Sequence, residues 1–120
     1  MIPMSADERK YEPVESLPRE EILRLLDSGD ESCICAALYS ATYHDSDWRW
    51  VQAQCLRLLT HPSPQVRWAA ATCLGDMAVF HHQLDLEVVL PALHQALNDQ
   101  AIRSTVEDSL DQIHQNIKTQ

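Results

Sequence analysis

At 120 residues the chain is one domain with room for a single modest core, and its 45% hydrophobic residues make that core attainable. A formal net charge of −9, of which −5 falls in the first 31 residues, repels nucleic acid and anionic membranes and suits a basic protein partner. No apolar run approaches the roughly 20 residues of a membrane helix and the N-terminus carries no apolar leader core, so a cytoplasmic location is expected.

Two glycines, one phenylalanine and an abundance of Ala, Leu and Gln favour helices over sheets. Residues 1–15 are polar, acidic and interrupted by Pro3 and Pro13; a flexible arm is expected there, with a folded domain over 16–120. The first helix follows Ser16 and Pro18, carries Ile22, Leu23, Leu25 and Leu26 as its apolar residues, and stops near Ser28-Gly29. Glu20 and Glu21 stand in its first turn, where the helix dipole favours negative charge. A second helix is expected over about 31–43, with Cys33, Ile34, Ala37, Leu38 and Ala41 on its apolar side. H-D-S-D then breaks the pattern, and Ser46 or Asp47 caps a third helix over about 47–60 whose face holds Trp48, Val51, Cys55, Leu58 and Leu59.

The fourth helix begins sharply at Ser63-Pro64, a cap followed by a residue that needs no N–H partner. Val66, Ala70, Cys73, Leu74 and Met77 recur at helical spacing, and Ala69–Ala71 let another helix approach closely. This helix ends near Phe80. Asp85 is the expected cap of a fifth helix with Leu86, Val89, Leu90, Leu93 and Leu97 inward and a bend at Pro91. The sixth, over about 100–117, carries Ile102, Val106, Leu110, Ile113 and Ile117, with Glu107, Asp108, Asp111 and Gln115 outward.

The helices pair into three self-similar units. Their first helices end at Leu26, Leu59 and Leu97, 33 and 38 residues apart. Val66-Arg67 and Ile102-Arg103 open the second helices of units two and three, each with a leucine eight residues after the anchor. Two helices per unit at such a period describe an α-solenoid. The stretch V-R-W-A-A-A-T-C-L-G after Ser-Pro, and V-V-L-P-A-L-H-Q-A-L-N-D before Ile-Arg, resemble the helices of a HEAT repeat. The resemblance covers about 18–117 and is weakest in the first unit, where Ile34 replaces the arginine. The expected fold is therefore all-α: a short solenoid of three HEAT-like hairpins. The resemblance also implies that Arg67 and Arg103 bond an acid or carbonyls at inter-helix turns, with Asp99 the candidate acid.

Little here points to catalysis. The four cysteines match no C-x-x-C spacing and read as buried free thiols rather than disulfides or zinc ligands. Asp30 and Glu31 beside Cys33 and Cys35 oppose thiolate formation. His81-His82 reads as part of a solvated loop, while His94 and His114 fall on polar helix faces. HEAT-like iron hydroxylases carry several His-Glu dipeptides and this chain has none; nothing marks it as a HEAT-like bilin lyase either. No cofactor, no metal and no enzymatic activity are expected.

Binding is the better expectation. In HEAT solenoids the second helices line a concave surface that usually meets the partner. Projection of the fourth helix onto the others places Trp68, Thr72 and Asp76 there, with Cys35, Tyr39 and Tyr43 from the second helix and Ser104, Asp108 and Gln112 from the sixth. Aromatic anchors beside carboxylates suit a basic protein. Trp50, off the apolar stripe of the third helix, is either a second exposed aromatic or a contact to a neighbouring first helix. A small acidic helical-repeat module of this kind resembles bacterial immunity proteins of contact-dependent or polymorphic toxin systems. That resemblance implies occlusion of a basic, nuclease-type toxin; the alternative is an adaptor or assembly chaperone.

Overall fold

A computed structural model describes residues 14–117 as six helices: α1 (Arg19–Leu26), α2 (Glu31–His44), α3 (Trp48–Leu58), α4 (Pro64–Phe80), α5 (Leu86–Ala96) and α6 (Arg103–Asn116). Residues 1–13, most of the expected arm, lie outside the described residues. Val14 and Leu17 are tied to α2: the Val14 carbonyl meets the His44 ring and the Leu17 N–H donates to Ser40 Oγ at 3.1 Å.

Local chemistry sets three of the helix starts. Asp30 accepts from the Cys33 N–H, Asp47 from the Trp50 N–H, and Ser63 from the Val66 N–H ahead of Pro64 at the first helical position. Asp85 holds the expected cap position of α5, but its side chain makes no cap bond. Its own N–H instead donates to Oε1 of the buried Gln52 at 2.7 Å, so a side chain of α3 fixes the start of α5. α5 runs through Pro91, which lies on its exposed side. α4 closes on His82 in the left-handed region (φ 55°), with the N–H groups of His81 and His82 both donating to the Met77 carbonyl.

Consecutive helices form three antiparallel hairpins, and the hairpins stack through their second helices. The α4–α6 contact is the most extensive in the molecule and α2–α4 the next. α2, α4 and α6 therefore form one continuous layer, the HEAT-like solenoid arrangement. The core runs along it: Ile34, Leu38, Val66, Leu74, Met77, Val106 and Ile113 are essentially inaccessible, joined from the first helices by Ile22, Val51, Val89 and Leu93. Apolar burial of this kind contributes about 1.5–3 kcal/mol per large aliphatic side chain.

Small residues set how closely the layer packs. Ala69, Ala70, Ala71 and Gly75 are buried on α4. A methyl group built on Gly75 would stand 2.8 Å from Ser109 Oγ and 3.0 Å from Ser109 Cα, and Ser109 Oγ donates to the Ala71 carbonyl at 2.6 Å. Glycine is required there by the neighbouring backbone, not by its own dihedral angles.

The apolar residues divide at the surface. Leu23, grouped with the apolar residues of the first helix, is 48% exposed, because an eight-residue helix at the end of the layer buries only one stripe. Leu86, Leu90 and Leu97 are only half-buried. Trp50 is the contact to a first helix: the Arg19 guanidinium lies 3.8 Å from its ring centroid. Arg19 also pairs with Asp45 at 2.9 Å, tying α1 to the start of the second hairpin.

Candidate partner-binding face

On α4, residues four apart share a face, so Trp68, Thr72 and Asp76 form one row along the layer. Thr105, Asp108, Ser109 and Gln112 of α6 stand opposite. The two rows enclose a groove of about 260 Å³, floored where Gly75 meets Ser109 and bridged by a 3.2 Å contact between the hydroxyls of Thr72 and Thr105. Five of the expected residues (Trp68, Thr72, Asp76, Asp108 and Gln112) thus line one groove. Trp68 is 47% exposed despite its size.

The tyrosines of α2 lie on the other flank of α4. Tyr43 donates through its hydroxyl to Asp76 Oδ2 at 3.3 Å and meets the Phe80 ring edge-on, with centroids 4.9 Å apart and planes at 63°. Burial, followed by the charge of Asp76, pushes the Tyr43 hydroxyl up to about 12. Tyr39 is half-buried and shifted further in the same direction, again chiefly by burial. Both are neutral phenols at physiological pH. Asp76 is raised above the ordinary carboxylate range because partial burial penalises its charge, an effect the Tyr43 hydrogen bond only partly offsets. Asp108 is exposed on the opposite wall.

One position in the projected rows behaves differently. Cys35 is buried, its thiol directed at the Gln65 carbonyl at 3.8 Å, so it belongs to the α2–α4 seam rather than the surface; Ser104 is exposed. Phe80, 56% exposed and packed on Tyr43, extends the same face and was not among the expected residues. Continuing the row 68, 72, 76 by one more step of four reaches it. The groove floor was also not anticipated, although Ala71 and Gly75 on one helix and Thr105 and Ser109 on the other are small residues four apart.

The arginines flanking the face are occupied elsewhere. Arg67 reaches Asp99 Oδ2 through Nε at 2.6 Å and the carbonyls of His61 and Pro62 through one terminal nitrogen at 2.9 and 3.0 Å. It joins the turn before its own helix to the turn of the next hairpin. That hydrogen bond, more than any other influence, holds the Asp99 carboxyl below its usual range. Arg103 meets Glu107 at 3.2 Å and the Leu97 carbonyl at 3.3 Å. Among the described residues, neither Asp76 nor Asp108 forms an ion pair, and no cation lines the groove.

The histidines and thiols serve packing. His81 bonds the Thr42 carbonyl at 2.8 Å and is half-buried, a link between α2 and the end of α4 rather than a purely solvated loop residue; His82 approaches the Asn116 carbonyl at 3.4 Å. Burial raises Cys35, and raises Cys73 well above the ordinary thiol range, so both are protonated at neutral pH. All four cysteines are free. Among the described residues, no group of three or more His, Cys, Asp or Glu is placed to hold a metal ion, and no helix is long and apolar enough to cross a membrane.

Comparison with known proteins agrees with this architecture. Residues 51–81, which span α3 and α4, match the HEAT repeat family model. No match was found among curated proteins. Among solved structures, the chain is similar to one in the crystal structure of a CDI complex from Cupriavidus taiwanensis LMG 19424, with 29% identity and a TM-score of 0.80 over 88% of this chain and 96% of that one. The second hairpin is thus similar in sequence to a HEAT repeat, and the whole has the fold of a short HEAT-like α-solenoid shared with a chain of that complex.

Proposed function

We propose that this chain is an immunity protein, which binds a cognate toxin through the face formed by α2, α4 and α6 and neutralises it by occlusion. The observation that carries the reading is the near end-to-end likeness, at 29% identity, to a chain of a CDI complex. Complexes of contact-dependent inhibition pair a toxin domain with its immunity protein, and a small acidic solenoid suits the second role. The face supports it with exposed Trp68, Tyr43 and Phe80 beside two carboxylates that no cation of the groove neutralises.

The chemistry of the face selects a basic partner. A net charge of −9 accelerates encounter with a cationic, nuclease-type domain, and contacts centred on aromatic side chains slow its release. Occlusion requires no catalysis or cofactor from this chain; the bound toxin loses access to its substrate.

The test is protection. A candidate toxin domain, sought among the genes beside this chain's own, is expressed in a susceptible host with and without the chain. Restored growth together with a stable one-to-one complex on size-exclusion chromatography is the expected result. Continued killing with no complex overturns the reading.

A further inference from the structure

The groove between α4 and α6 is narrower in its chemistry than a general acidic surface. Its walls offer a flat indole, two carboxylates, two threonine hydroxyls and the Gln112 amide, with no cation and no large aliphatic group. At about 260 Å³ it lies below the roughly 300–1,000 Å³ of small-molecule and cofactor sites, which is room for a side chain. The cross-seam contacts Thr72–Thr105, Ala71–Ser109 and Gly75–Ser109 set the register of the two helices. In that register Asp76 and Asp108 stand on opposite walls at nearly the same level along the helix axes, with Trp68 two turns, about 12 Å, toward the start of α4.

We propose that this groove is a receptor for one arginine side chain of the protein partner, its guanidinium lying between Asp76 and Asp108 and its aliphatic stem running along the groove past Trp68. The inference rests on the partner-binding reading above and specifies what the face recognises. Arginine fits better than lysine on three grounds. Its planar group is weakly hydrated and enters the groove at less cost than a compact, strongly hydrated ammonium. Its five donors form a fork able to serve acceptors on two walls at once, and charge-assisted bonds of this kind are among the strongest available. Thr72 and Thr105, although bonded to each other, each keep acceptor capacity for the donors pointing at the floor.

Asp76 gives the strongest argument. It is a partly buried carboxylate with a phenol as its hydrogen-bond partner and no cation beside it. Such a group costs stability in the free protein, and an incoming guanidinium supplies the missing charge.

The experiment is an NMR titration of the Trp68 indole N–H, assigned by its loss in Trp68→Phe. The probes are N-acetylarginine amide, N-acetyllysine amide and the neutral isostere N-acetylcitrulline amide. The arginine probe should shift the signal saturably with a dissociation constant on the order of 1 mM, as expected for a single side-chain contact. The lysine probe should bind at least about fivefold more weakly and citrulline should not saturate, because the site reads both charge and planarity. Asp76→Asn and Asp108→Asn, which keep the groove's shape, should each weaken the arginine probe about tenfold, the usual scale for one charge-assisted bond. Equal shifts by arginine and citrulline, no saturation by about tenfold above 1 mM, or unaffected Asn variants would each overturn the assignment. Toxin titrations of the same variants separate this proposal from the broader one. If the arginine probe fails but Trp68→Ala still weakens the toxin, the arginine assignment falls and the binding face stands. If the probe binds but the variants hold the toxin normally, the pocket stands and the immunity face falls.

Discussion

The two joints of the solenoid, α2 on α4 and α4 on α6, use corresponding rows of residues with different chemistry. At the first joint Tyr39 and Tyr43 fill the surface between the helices, and Ile34 stands where an arginine would have reached the next turn. The polar ties there include the Tyr43–Asp76 hydrogen bond, the His81–Thr42 carbonyl contact and the Cys35 thiol aimed at the Gln65 carbonyl. At the second joint Thr72, Gly75 and Ser109 are small, the helices close to backbone contact, and Arg67 clamps both turns. One joint is filled by aromatic bulk; the other is closed at its floor and left open above it. The open groove is therefore a consequence of small residues deep in the seam, and the clamp lets that seam stay closed without bulk to fill it.

The largest expected effect comes from forcing the second joint apart. Gly75→Val should lower unfolding free energy by about 3 kcal/mol, because a branched side chain meets the Ser109 backbone and breaks the Ser109–Ala71 bond. Urea unfolding checks this, with loss of the groove readable from Trp68 fluorescence. A change below about 0.5 kcal/mol would show that the seam is not tightly packed.

Arg67→Ala should follow, at about 1–3 kcal/mol, since it removes charged hydrogen bonds to two carbonyls as well as the link to Asp99. The pH dependence carries a signature. Asp99 has a depressed folded-state pKa, so its contribution is complete above the unfolded value of about 3.9 and is lost as pH falls through the lower folded value. Thermal unfolding between neutral and acid pH should show this acid-side loss in the native protein and a shallower one in Arg67→Ala.

Asp76 should behave in the opposite sense. Its folded-state pKa is raised, so the protein is favoured by this group below the unfolded value and loses that advantage as pH rises through the folded one. Asp76→Asn is accordingly expected to stabilise the free protein slightly at neutral pH, a gain kept small by solvent screening, while weakening partner binding. Smallest of all, Arg103→Ala should cost under about 0.5 kcal/mol, because this exposed arginine at the last hairpin has no further turn to clamp. A cost equal to that of Arg67→Ala would erase the distinction between an internal joint and a free end.

The hairpins were legible because their signals are local. Ser63-Pro64, the Val66-to-Leu74 spacing and the recurrence of an apolar-arginine pair locate α4 and α6 and the turn-bonding role of Arg67. What escaped was chemistry between residues far apart along the chain. Gln52 fixes the start of α5 from another hairpin, His81 reaches back to Thr42, and the group on Trp50, for which the sequence offered only a neighbouring first helix as one alternative, is Arg19. None of these pairs is close in sequence, and polar residues at such spacings have no periodicity to reveal them. The row Trp68, Thr72, Asp76 was visible at helical spacing. Its depth was not, since that depends on Gly75 meeting Ser109 across the seam.

The central claim, that α2, α4 and α6 present the partner-binding face, is tested most directly by calorimetric titration of single variants against the purified toxin domain, with melting curves alongside. Truncation of Trp68 or Tyr39 to Ala should weaken binding by about 2 kcal/mol, roughly thirtyfold. Asp76→Lys and Asp108→Lys should slow association in stopped-flow mixing, by less as salt rises. Native affinity and association rate in all four variants, with unchanged melting, would contradict the account and move the site off this face.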